Sequence, residues 1–138
     1  MRSPRVFIAE DDDGVLDLVR IRLELAGYST SFARDGVAAA SGILNELPDA
    51  VILDIGLPLR SGFEVLQEIR ANVRAQDIPV LMLTARHESS DVQKALSLGA
   101  QDYLAKPFDD KKLLVRIGRL VQMRARLGHQ PTQTTYQV

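Results

Sequence analysis

The stretch PDAVILDIGLPLRSGFEVL, Pro48 to Leu66, passes from one kind of local structure to another within a few residues. Ala50-Val51-Ile52-Leu53 is apolar without alternation, as a strand covered on both faces requires. Asp49, just after Pro48, marks where that strand begins, and Asp54 ends the apolar run with a carboxylate. Ser61 then offers an N-cap to SGFEVLQEIRANV, which reads as a helix. A strand, an acid at its carboxyl end and a helix in succession form the unit of a parallel sheet, whose neighbouring strands need crossover connections.

The same unit recurs on both sides. Val6–Ala9, Tyr28–Ala33, Val80–Leu83 and Tyr103–Leu104 are further short apolar runs. Longer amphipathic segments separate them. One helix starts near Asp13 and stops at Gly27, a good left-handed terminator after Ala26. A second, GVAAASGILNEL, ends before Pro48. In another, Ser90 and Gln93 have capping-box spacing and Gly99 stops the helix after Leu98. The last begins at Asp109 and sets Leu113, Leu114, Ile117, Leu120 and Val121 on one face. Five strands alternating with helices predict an α/β fold, a doubly wound five-stranded parallel sheet with helices on both faces.

Bulk properties narrow the function. A chain of 138 residues suits one domain with a real core. The formal net charge of −1 gives no whole-protein basic footprint, so direct nucleic-acid binding is not expected. There is no cysteine, which excludes disulfides and thiolate metal sites. The apolar run near the N-terminus spans only Val6–Ala9, too short for a signal peptide or a membrane span. A cytoplasmic protein without membrane contact is the expectation.

In sheets of this kind ligands sit at the carboxyl ends of the strands. The residues there are Glu10-Asp11, Asp54, Thr84-Ala85 and Lys106-Pro107, while the second strand offers only Arg34-Asp35. Acids, a hydroxyl and an amine far apart in sequence therefore converge on one edge. Glu10 to Asp13 are four acids in a row, and a helix cap, read here as Asp13, uses only one of them. A pocket of about three carboxylates calls for a hard cation with oxygen ligands, Mg²⁺ above all.

AEDDDGVL, PDAVILDIGLPLRSGFEVL, LMLTAR and GAQDYLAKPF, in that order on the predicted elements, resemble the signature segments of two-component response regulator receiver domains over residues 5–121. The resemblance implies a flavodoxin-like fold with strand order 2-1-3-4-5. It assigns Asp54 as phosphoacceptor, Asp11 as direct Mg²⁺ ligand, Glu10 as its partner through a metal-bound water, and the Gly56 backbone carbonyl as the remaining protein ligand. Thr84 matches the switch hydroxyl and Lys106 the phosphoryl-binding amine, with Ala85 leaving room for the phosphoryl group. Tyr103 matches the aromatic switch residue, and the Lys106-Pro107 bond resembles the family's cis peptide.

The implied activity is transfer from the phosphohistidine of a sensor histidine kinase or phosphotransfer protein to Asp54. The output is a reshaped face of helix 4, strand 5 and helix 5. Such a protein is not an enzyme beyond promoting its own phosphorylation and dephosphorylation. Gly56 and Arg86 fall where relatives tune the access of water to the phosphoryl group. Gln101 stands where DNA-binding relatives often carry a second Asp, while Lys94, Asp102 and Arg116 match charged positions of their homodimer face. His87 and His129 are lone and carry no assignment.

Residues 1–121 form the expected receiver domain. Residues 122–138 continue the helix and then become a Gln/Thr-rich tail or linker containing Pro131, with no room for an output domain. A single-domain regulator and the receiver portion of a longer protein both fit. A receiver-like interaction module that needs no phosphorylation is the rival reading, although such modules usually lack one of the acids or the lysine. A haloacid dehalogenase-like phosphatase would place a D-x-D pair after the first strand. A dinucleotide-binding fold would need a glycine-rich turn where this chain has acids.

Overall fold

The computed structural model describes residues 3–85 and 89–137, with the side chains of Ser89 and of 128–137 left aside. Arg86 and His87 lie outside the described residues, as does the side chain of His129. The elements are β1 (Arg5–Ala9), α1 (Asp13–Leu25), β2 (Ser29–Ala33), α2 (Gly36–Glu46), β3 (Ala50–Asp54), α3 (Gly62–Ala71), β4 (Val80–Thr84), α4 (Ser89–Ser97), β5 (Asp102–Ala105) and α5 (Asp110–Gln137). The strands pair in parallel in the order β2-β1-β3-β4-β5, the expected doubly wound arrangement.

Alternation along the strands divides the core between two faces. Phe7, Val51, Leu53, Val80 and Met82 pack with Ile43 of α2, Leu66 and Ile69 of α3, and Ala95 of α4. Val6, Ile8, Ile52, Leu81 and Leu83 pack with Leu16, Val19 and Leu23 of α1 and with Leu113, Ile117 and Leu120 of α5. Both faces of β3 and β4 are thus buried, and this is why their sequences are apolar without a break.

Local chemistry sets the helix ends. Ser61 and Glu64 form a reciprocal capping box at the start of α3. At the end of α1 the amide of Gly27 bonds to the carbonyl of Glu24 and that of Tyr28 to Leu23, with Gly27 at φ 99°. Tyr28 is thereby held by the helix end, and β2 begins one residue later than expected. The cap of α1 is Asp12, whose side chain accepts from the Val15 amide, and not Asp13; Asp13 is helical and pairs with Arg34 at 2.8 Å. The α4 helix already includes Ser89, which puts Ser90 inside its first turn and not at the cap. Asp109 bonds the Lys111 amide just ahead of α5, which is helical on to Gln137.

Candidate functional site

Register fixes what the carboxyl edge of the sheet presents. Ala9 lies beside Leu53, so Glu10 follows at the level of Asp54. Asp54 pairs with Leu83, and Thr84, next along β4, pairs with Ala105, after which comes Lys106. Four elements separated in sequence therefore deliver Glu10, Asp54, Thr84 and Lys106 to one place.

The Lys106 ammonium lies 2.6 Å from Glu10 Oε1 and 3.4 Å from Asp54 Oδ2. Glu10, Asp54 and Thr84 are the buried polar residues of the described chain. Burial pushes the Glu10 carboxyl above its ordinary range; the hydrogen bonds with Lys106 and the Asp12 amide work against this, and the Asp54 charge adds to it. Burial alone would lower the Lys106 amine, but its contacts with Glu10 and Asp54 outweigh that and hold it above its usual value. Asp54 Oδ1 accepts from the Gly56 amide at 3.2 Å, and Glu10 Oε2 from the Asp12 amide at 3.1 Å. The Lys106 amide donates to the Thr84 carbonyl at 2.7 Å, and the Lys106-Pro107 bond is cis.

Glu10, Asp11 and Asp54 each bring a carboxylate oxygen to within 4.8 Å of the others. Glu10 Oε1 is buried and meets the Lys106 ammonium at 2.6 Å. Hard oxygen donors gathered this closely, one of them buried, suit a small divalent cation. A cavity of about 320 Å³ opens beside them, lined by Asp54, Gly56, Thr84, Ala85, Lys106 and also Asp91. The sequence reading does not single out Asp91; its place in the first turn of α4, just beyond the Thr84 edge, is the signal that marks it. Tyr103 stands apart from this cavity. It is half-buried and lines a second one of about 330 Å³ with Pro107, Phe108, Lys112 and Arg116. Arg116 Nη1 holds the Tyr103 carbonyl at 2.6 Å and Asp102 at 3.2 Å, and Lys94 stacks over Phe63.

Residues 6–118 match the family model of the response regulator receiver domain. The chain is 42% identical over 124 residues to the DNA-binding dual master transcriptional regulator RpaA of Synechocystis, an alignment covering 90% of this chain and 52% of that one. It spans about half the length of the curated relatives it matches. Among solved structures, the receiver domain of a sensor histidine kinase from Pseudomonas aeruginosa, with a magnesium ion coordinated in its active-site cleft, superposes with a TM-score of 0.81 at 28% identity, covering 88% of this chain and 99% of that one. The chemotaxis response regulator CheY4 of Vibrio cholerae superposes with a TM-score of 0.81 at 28% identity, covering 86% and 99%.

Proposed function

This chain belongs to the response regulator receiver domain family, and on that footing we propose that Asp54 accepts a phosphoryl group from the phosphohistidine of a sensor histidine kinase or phosphotransfer protein. The observation that carries this reading is the setting of Asp54, a nearly buried carboxylate that ends β3, opens on a cavity and lies 3.4 Å from the Lys106 ammonium. In the transfer an Asp54 oxygen attacks phosphorus and the bond from phosphorus to the imidazole nitrogen breaks. Charge in such a transition state lies on the peripheral oxygens, so the protein contributes mainly position and neutralisation. Lys106 supplies a compact positive charge, Thr84 a hydroxyl that donates to a phosphoryl oxygen, and Ala85 the space for it. Glu10, Asp11 and Asp54, with the Gly56 carbonyl, would hold Mg²⁺. When bound, the cation offsets the repulsion between a carboxylate nucleophile and an anionic donor.

Output follows from movement of Thr84 toward the phosphoryl group, with Tyr103 turning inward and α4, β5 and α5 presenting a changed face. A swing from mostly inactive to mostly active takes about 5.5 kcal/mol of differential binding. Charge-assisted hydrogen bonds to a phosphoryl group supply energies of that order. Residues 1–121 act as the receiver and 122–138 as an extension, in the cytoplasm; among the described residues no helix is long and apolar enough to cross a membrane. A phosphorylation-dependent homodimer through the same face gains less support. Asp102 and Arg116 already pair within the chain, and Lys94 is stacked on Phe63.

Intact-mass spectrometry after incubation with acetyl phosphate tests the reading. The expected result is a Mg²⁺-dependent gain of one phosphoryl group that the Asp54→Asn variant lacks. A folded native protein that gains nothing, and binds no stable phosphoryl mimic, would replace it with the phosphorylation-independent interaction module.

A further inference from the structure

The cavity beside Asp54 holds one carboxylate that the phosphoryl transfer described above does not use. Asp91 lines it together with Asp54, Gly56, Thr84, Ala85 and Lys106. Yet Asp91 is not a member of the cluster in which Glu10, Asp11 and Asp54 bring their oxygens within 4.8 Å of one another. The Lys106 ammonium pairs with Glu10 and Asp54 instead. Among the described residues the Asp91 side chain has neither a hydrogen bond nor an ion pair. An acid in the first turn of α4 suits the helix dipole, which accounts for its presence in the helix but not for its place on this cavity.

The cavity has an inner and an outer end. Asp54 and Thr84, exposed at only 5% and 3%, form the inner end, where β3 and β4 stop. Gly56 and Ala85 are exposed and Asp91 is half-buried, so these three border the way in. Displacement at phosphorus runs in line, with the leaving group on the side away from the attacking Asp54 oxygen. The leaving group therefore points outward, toward the end that Asp91 borders.

We propose that Asp91 determines specificity for the phosphodonor: its carboxylate accepts a hydrogen bond from an N–H of the leaving group and so favours phosphoramidates over acyl phosphates. This rests on Asp54 as the phosphoacceptor and names the donor class that the same site prefers. With a phosphoramidate, an Asp54 oxygen bonds to phosphorus, the P–N bond breaks and its electron pair stays with nitrogen. A donor protonated on its amine, or on the far nitrogen of its imidazole, departs as neutral ammonia or imidazole. Part of that positive charge is still present in the transition state. With acetyl phosphate a P–O bond breaks instead, and its electron pair leaves with acetate as negative charge. Asp91 attracts the first leaving group and repels the second, and takes up no proton itself.

The test compares second-order rate constants for phosphorylation of the full chain by phosphoramidate, phosphoimidazole and acetyl phosphate at saturating Mg²⁺. Asp91→Asn keeps the shape of the side chain and removes its charge. It should lower the rate with both nitrogen donors and raise it with acetyl phosphate. The ratio should shift by about tenfold, the scale of one charge-assisted hydrogen bond. Asp91→Glu restores the carboxylate and should recover most of the preference. Asp77→Asn makes the same charge change on an exposed residue ahead of β4, at the opposite edge of the sheet, and should leave the ratio as it is. Circular dichroism checks that the variants fold. A merely structural role for Asp91 would move all the donors in one direction. That result, an unchanged ratio, or an equal shift in Asp77→Asn would overturn the proposal. A folded native chain that none of the donors phosphorylates would remove the reading of Asp54 and this proposal with it, an outcome seen without any variant.

Discussion

Lys106 reaches closest to Glu10: its ammonium lies 2.6 Å from Glu10 Oε1, against 3.4 Å to Asp54. Before any phosphoryl group arrives, the lysine is engaged by the most buried carboxylate of the site. Both partners bind their protons more tightly in the folded chain than in the unfolded one, since both values are raised. For Glu10 the contribution to stability is therefore full below the ordinary glutamate range and is lost as pH rises through its raised folded value. In chelator-treated protein, the urea midpoint of the native chain should fall relative to that of Glu10→Gln as pH rises from about 4 toward neutrality. Urea titrations at a series of pH values check this, and parallel curves would sink it.

Neighbouring acids at the end of β1 have different work, and divalent cation should separate them. Asp11 belongs to the carboxylate cluster, whereas Asp12 accepts from the Val15 amide as the cap of α1. Saturating Mg²⁺ should raise the thermal midpoint of the native protein, by about 2.7 kcal/mol of stability at a hundred times Kd. Asp11→Ala should lose most of that increment. Asp12→Ala should keep it while losing about 1 kcal/mol at every cation concentration. Equal responses of the two variants in thermal scans would disprove the division.

Arg70 ties α3 to the turns that flank β4. Its guanidinium donates twice to the Gly99 carbonyl, at 3.0 and 2.7 Å, and to the carbonyls of Gln76 and Ile78 at 3.1 and 2.8 Å. It also reaches Gln101 Oε1 at 2.9 Å, which in turn accepts from the Val80 amide at 2.7 Å. Replacing it strands the half-buried carbonyls of Gly99 and Ile78, so Arg70→Met should cost about 3 kcal/mol. Gln101→Ala should cost less, because Arg70 keeps its carbonyls. Chemical denaturation of both variants checks the order, and a reversed order would refute the account.

Much of this was legible from residue order. The unbroken apolar runs of β3 and β4 declare burial on both faces, and from that follow a parallel sheet and one edge where Asp54, Thr84 and Lys106 meet. Side-chain pairing was less legible. Nothing in the sequence says that Asp12 rather than Asp13 reaches the Val15 amide, since both sit one turn from a free donor. Asp91 joins the cavity from the first turn of α4, a placement against the sheet edge that sequence spacing does not state. Gln101 marks itself in sequence only as an unusual residue, and its inward bond to the Val80 amide emerges once β4 and β5 are paired.

Two glycines bracket the loop that follows Asp54, and they should respond in opposite ways to a methyl group. A Cβ on Gly62 would stand 2.3 Å from the Asp54 carbonyl oxygen and 2.9 Å from the Ile55 Cα, both backbone atoms that cannot turn aside. Gly62 also donates to the Ile55 carbonyl at 2.9 Å, which closes the loop against the end of β3. Gly62→Ala must therefore move the segment that positions Asp54. It is expected to cost about 2 kcal/mol or more and to slow phosphorylation by acetyl phosphate. A Cβ on Gly56 meets nothing within 4 Å, and its amide, which donates to Asp54 Oδ1, survives the change. Gly56→Ala should stay within about 0.5 kcal/mol of the native chain. It should be phosphorylated at the native rate, and its effect should fall on the decay of the phosphoryl group, because the new side chain enters the space beside it. Single-turnover phosphorylation and decay, measured beside urea denaturation, separate the two; a Gly56→Ala variant that decays at the native rate would remove Gly56 from control of the phosphoryl lifetime.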